Sequence, residues 1–168
     1  PPFADEDNDN KPTPSGGWLS ELSESDVVNV FKDERTGEYV NYHKTWIDNN
    51  DGTMFWKRAI ARSTSKDFIH WDKMNTPAID FEGDEAGISA ATVIEHEGTY
   101  HMWFSVRHAK EFRTNPDKAY KIKHATSKDG WSWTRDNKFG IIPECKYESI
   151  MCAYPSVLKI DKKLYMFY

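Results

Sequence analysis

Turn-forming residues separate runs of β-branched and aromatic positions along most of this chain. "VVNVF" (27–31), "DERTG" (33–37) and "EYVNYHKTW" (38–46) read as strand, tight turn and strand. "MFWKRAIARSTS" (54–65) predicts a third strand and "FIHWDK" (68–73) a short fourth. The same order then returns. "ISAATVIEH" (88–96), the turn "EG" and "TYHMWFSVRH" (99–108) predict a second hairpin. "AYKIKHATSKDG" (119–130) and "WSWTRD" (131–136) complete that second set. A third set opens with "CAYPSVLKI" (152–160), "DKK" and "LYMFY" (164–168). No apolar stripe of helical period competes with this pattern.

The copies align residue by residue. Tyr39-Val40-Asn41-Tyr42-His43 matches Tyr100-His101-Met102-Trp103-Phe104 at a shift of 61, and that set matches Leu164-Tyr165-Met166-Phe167-Tyr168 at a shift of 64. Ser65, Asp67 and Trp71 match Ser127, Asp129 and Trp133 at a shift of 62. Four strands per unit at this period are the mark of a β-propeller blade. The expected fold is therefore all-β, of the propeller type. Its parts would be an extended leader over 1–25, blades over 26–75 and 88–136, and the start of a third blade over 151–168.

The repeated Ser-Lys-Asp-x-x-x-Trp element lies at the turn from third to fourth strand. Its Ser and Asp side chains are suited to bonding free backbone groups, and its Trp to covering the packing between neighbouring blades. The element is read as structural. It departs from the sialidase-type Ser-x-Asp-x-Gly-x-Thr-Trp box, because Gly130 follows Asp129 directly and Ser and Trp lie one position closer together.

Composition narrows the functional classes. The net charge is −5, against the basic stripe that a nucleic-acid binder needs. No run approaches the roughly 18 apolar residues of a membrane span. Aromatic residues make up 14% of the chain, and these rings are either packed in a core or used as a recognition surface, with packing expected to take most of them. Cys145 and Cys152 are close enough in sequence for a disulfide, though none is required, and neither has the partners of a zinc site. "DEDNDN" (5–10) fails the calcium-loop pattern at Asn10 and Gly16. No Gly-rich phosphate loop and no paired-histidine motif occurs, so neither cofactor nor metal is expected.

The strings "ATSKDGWSW", "YPSV" and "YHMWFS" resemble the five-bladed propellers of glycoside hydrolase families 32, 43, 68 and 117, over about residues 26–168. The resemblance implies a funnel at the propeller axis, lined by the first strand of each blade. Carboxylates at or just before those strands would bind a carbohydrate substrate and cleave its glycosidic bond. One carboxyl protonates the leaving oxygen while another attacks the sugar or activates water. The acids so placed are Asp26, Glu85 and Glu148, with Asp84 beside the second. Glu148 stands seven before Pro155, as Asp84 stands seven before Ala91. Arg107 and His108 after the second hairpin strand, Trp46 after the first, and Arg58 in the third strand are candidates for substrate binding. The Asn-Asp-Pro-Asn motif of family 32 and the Asp-Pro of family 43 are absent. A non-catalytic propeller that binds a glycan or a protein therefore stands beside the hydrolase, as does a structural repeat in a larger assembly. A five-bladed ring needs roughly 300 residues at this period. The remainder is expected from a longer chain or from a second copy of this one.

Overall fold

The computed structural model describes residues 28–47, 57–74, 76–143 and 150–168. The leader over 1–25 lies outside them. Ten strands form among the described residues. They are β1 (Val28–Lys32), β2 (Tyr39–Ile47), β3 (Lys57–Ser65), β4 (Asp72–Lys73), β5 (Glu85–His96), β6 (Thr99–His108), β7 (Lys121–Ser127), β8 (Thr134–Arg135), β9 (Ser156–Ile160) and β10 (Lys163–Phe167).

β1–β4 and β5–β8 are two antiparallel four-stranded meanders, joined by one parallel pairing between Arg58 and Gly87. β9 and β10 form a separate hairpin. The architecture is all-β, three antiparallel sheets in a partial propeller-like arrangement. Strand ends follow local chemistry. Glu97 and Gly98 both take positive φ (51° and 74°), the backbone a two-residue hairpin turn needs. The fourth strands are only two residues long, shorter than the sequence pattern suggests. The reason lies in the turns before them, whose N–H groups are already spent on side chains.

Those turns are built twice with the same bonds. Ser65 Oγ accepts from the N–H of Phe68 (2.8 Å), and Asp67 Oδ1 from those of Ile69 and His70 (2.9 and 2.8 Å). Ser127 Oγ accepts from Gly130 (2.8 Å), and Asp129 Oδ1 from Trp131 and Ser132 (2.7 and 2.8 Å). The residue after Asp is left-handed in both, Phe68 at φ 66° and Gly130 at 75°. The backbone N–H groups hold the Asp67 and Asp129 carboxyls below the ordinary aspartate value; for Asp67 the His70 ring is the largest contributor.

The cores lie between sheets. Val40, Tyr42 and Ile60 of the first sheet pack on Ile88, Val93, Tyr100 and Met102 of the second. Trp133 joins them from the second turn, edge-on to Tyr42 at 5.7 Å. A second cluster of Trp103, Ile122, Cys152 and Val157 joins the second sheet to the β9–β10 hairpin. Cys152 is buried, its Sγ donating to the carbonyl of Ile141; Cys145 lies outside the described residues. Polar pins recur across these interfaces. Asn29 Oδ1 accepts from Val93 N–H (3.1 Å), and Thr92 Oγ1 from Val157 N–H (3.4 Å).

Candidate functional site

Strand register gathers residues that are far apart in sequence. Trp46 lies opposite Arg58, Arg58 opposite Gly87, and Gly87 opposite Arg107, a continuous row across β2, β3, β5 and β6. Glu85 is opposite His108 one step further, with Asp84 next to it in sequence. Six of the eight candidate residues thus share one end of the two sheets. The side chains of Trp46 and Arg58 lie outside the description. Asp26 and Glu148 lie outside the described residues altogether.

Glu85 is the first residue of β5 rather than a loop acid before it, and it is buried at 5% exposure. Arg135 Nη1 and Nη2 donate to its two oxygens at 2.8 and 2.7 Å, a bidentate fork. Lys123 Nζ lies 2.7 Å from Oε1, and the N–H of Glu82 donates to Oε2 at 2.9 Å. Burial pushes the Glu85 carboxyl up, but Arg135, Lys123 and the Glu82 N–H outweigh it and hold it below the ordinary glutamate value. The carboxylate is therefore ionised near neutral pH. Arg135 also donates to the carbonyl of Asp80 (2.8 Å), lies over the Phe104 ring, and has Nε 3.3 Å from Glu82 Oε1. Asp84 is exposed beside this cluster, and its loop bends at Gly83, φ 58°.

Arg107 is also buried. Its Nε donates to Tyr120 Oη (3.1 Å), its Nη1 to the carbonyl of His108 (2.9 Å), and its guanidinium lies 4.0 Å from the Phe112 ring centroid. Gly87 makes room for it, because a Cβ there would stand 3.0 Å from Arg107 Cγ. Tyr154, exposed and at φ 59°, is fixed by donation of its N–H to Ser105 Oγ (2.8 Å) and lies 6.4 Å from Tyr120. Arg135, Lys123, Tyr120 and Tyr154 were not among the residues chosen from sequence. Arg135 carried a signal: the shift that pairs Trp133 with Trp71 pairs it with another cation, Lys73. Lys123 and the tyrosines carried none, since they meet the site only through folding.

The arrangement is polar, with an ionised carboxylate, buried cations and aromatic faces. Among the described residues no group of His, Cys, Asp and Glu is placed to hold a metal ion.

No family model matches the chain. Two uncharacterized proteins of Mycobacterium tuberculosis are each 30% identical over 134 residues, which make up 75% of this chain and 42% of theirs. The chain thus spans less than half the length of these curated relatives. A solved glycoside hydrolase superposes with a TM-score of 0.65 at 18% identity, over 83% of this chain and 40% of that one. The sucrose-6-phosphate hydrolase of Lactobacillus gasseri gives 0.63 at 23% identity, over 84% and 28%. A family 43 β-xylosidase/α-arabinofuranosidase from a compost microbial metagenome gives 0.55 at 16%, over 84% and 41%.

Proposed function

We propose that this chain, whose fold is similar to that of solved family 32- and 43-type glycoside hydrolases, is the carbohydrate-processing part of a glycosidase. The observation that carries the proposal is the convergence of Trp46, Arg58, Asp84, Glu85, Arg107 and His108 at one end of the sheets. In this reading the chain supplies two blades and the opening hairpin of a third in a five-bladed ring. The sugar enters at the end where β5 begins.

The chemistry divides between acids in different states. Glu85 is held ionised and both its oxygens are engaged, so it does not donate a proton. Its part is positional, holding the Arg135 and Lys123 cations in place beside the sugar. Asp26 and Glu148 supply the proton donor and the nucleophile or water-activating base. Asp84, Arg107 and His108 bind sugar hydroxyls, and the aromatic faces of Trp46 and Tyr154 stack on the ring.

The test is hydrolysis of a panel of oligosaccharides and aryl glycosides by the chain and by its Asp26→Asn, Glu85→Gln and Glu148→Gln variants. Loss of a positioned acid or base lowers the rate by about 10²–10⁴. Turnover that survives all three substitutions would sink the assignment. A second reading, a non-catalytic glycan-binding propeller, is favoured by the saturation of Glu85 with Arg135 and Lys123. Calorimetric binding of an oligosaccharide without turnover distinguishes it.

A further inference from the structure

His124 is fully buried, at the end of the second sheet opposite the Glu85 cluster. Its Nδ1 donates to Asp136 Oδ1 at 2.6 Å, and its Nε2 meets Nδ1 of His101 at 3.0 Å. The three groups form one line, from Asp136 after β8, through β7, to β6. The rings lie on one another, His124 on His101 at 5.3 Å and His101 on Trp103 at 5.8 Å. Phe139 stands edge-on to His124 at 5.2 Å, and its carbonyl accepts from Trp103 Nε1 (3.1 Å). The segment 136–141 is held to the sheet through these contacts.

The repeat shows that the fold does not need imidazoles here. Val40 and Arg62 stand in the first sheet where His101 and His124 stand in the second, at the same shifts of 61 and 62, and both are buried. Neither changes charge near neutral pH, as histidine does.

The line can be read proton by proton. Burial pushes the Asp136 carboxyl up, but the Lys138 N–H and His124 outweigh it and hold it below the ordinary aspartate value. The ionised carboxylate fixes a proton on His124 Nδ1. With both rings neutral, His124 Nε2 accepts from His101 Nδ1. One added proton enters at His101 Nε2, the ring nitrogen outside the line. The shared proton then moves across, and the charge comes to rest on His124 beside Asp136. Every bond survives. A second added proton puts an N–H on both sides of the 3.0 Å contact, and the contact must part.

The surroundings resist that second charge. Burial, His124 and His96 hold His101 below the ordinary histidine value, with Lys128 adding to them against Asp136. His96 comes from β5 and Lys128 from the turn after β7, with Glu97 and Lys138 nearby. The β9–β10 hairpin faces the rings with the apolar Val157, Leu164 and Met166.

We infer that Asp136, His124 and His101 form a proton-operated latch, which holds with no added proton or with one and parts with two, so that mild acid drives His101 off Trp103 and loosens the 136–141 segment. It is independent of whether the protein cleaves sugars.

The test is a titration of the chain from about pH 8 to about pH 4.5, across the histidine range. The ring nitrogens of His101 and His124 and the indole N–H of Trp103 are followed by NMR. Two uptake steps are expected, more than about one pH unit apart, and the Trp103 resonance moves with the second alone. Asp136→Asn should lower the pH of the first step, because the charge on His124 loses its partner. His101→Phe keeps a flat ring without a proton site, and the Trp103 transition should vanish. A single step at the ordinary histidine value overturns the inference, as does a Trp103 resonance that moves with the first step. So does a Trp103 transition that persists in His101→Phe. The wild-type titration decides by itself should a variant not fold.

Discussion

Arg135 and Glu85, fifty positions apart, meet in a buried two-pronged ion pair at 2.7 and 2.8 Å. β8 and β5 are the outer and inner strands of one sheet, so the pair ties its two edges together. Removing one partner of a buried pair strands the other charge, at a cost of about 3–5 kcal/mol. Arg135→Met is expected to lower unfolding stability by that order in urea titration. The double variant with Glu85→Leu should recover part of it, because neither charge is then buried unpaired. A double variant no more stable than the single would show that the pair is not coupled.

The pH dependence follows from the same carboxyl. Its pKa is lower in the folded state than in the unfolded chain. The unfolded chain therefore binds the proton first on acidification. The stability it contributes is complete above about pH 4.3, the ordinary glutamate value, and is lost as pH falls through the lower folded value. Thermal melts of the wild type should lose stability steeply below that point. Glu85→Gln should flatten the acid limb, and parallel limbs would refute the linkage.

Ser127 is buried and its Oγ accepts the N–H of Gly130 at the turn that wedges against Tyr42. Ser127→Ala leaves that donor without its partner, for a loss of roughly 1–2 kcal/mol by analogy with helix caps. Gly130→Ala sets a Cβ against Tyr42 Oη (3.4 Å) and the Tyr100 ring (3.7 Å) and forces it onto a φ of 75°, the backbone strain alone costing about 1–2 kcal/mol. Chemical denaturation of each variant checks both values. An unchanged midpoint in either would remove the structural role given to this turn.

Gly87→Ala addresses the candidate site without touching a charge. The new Cβ would lie 3.0–3.3 Å from Arg107 Cγ, Nε and Cζ, so the arginine must shift by a few tenths of an ångström. Its bond to Tyr120 Oη, at 3.1 Å, should lengthen or break. A crystal structure of the variant reads this directly. If the proposed sugar site is right, oligosaccharide affinity falls while the fold is retained by circular dichroism.

The sequence by itself determined the strands, their order and the repeat. Alternation of apolar and polar residues sets which face of each strand is buried, and the matched spacings fix which residues recur. It also determined the two turns, because Ser-x-Asp bonds the backbone within a few residues and needs nothing from elsewhere. Only the tertiary structure decided what the acids touch. Glu85 stands at the start of an inner strand on sequence grounds, but its partners Lys123 and Arg135 come from β7 and β8. No local pattern encodes a contact across a sheet, since long side chains reach across strands whose register is set by the whole core. The same holds for the row from Trp46 to Arg107, which strand pairing alone brings together.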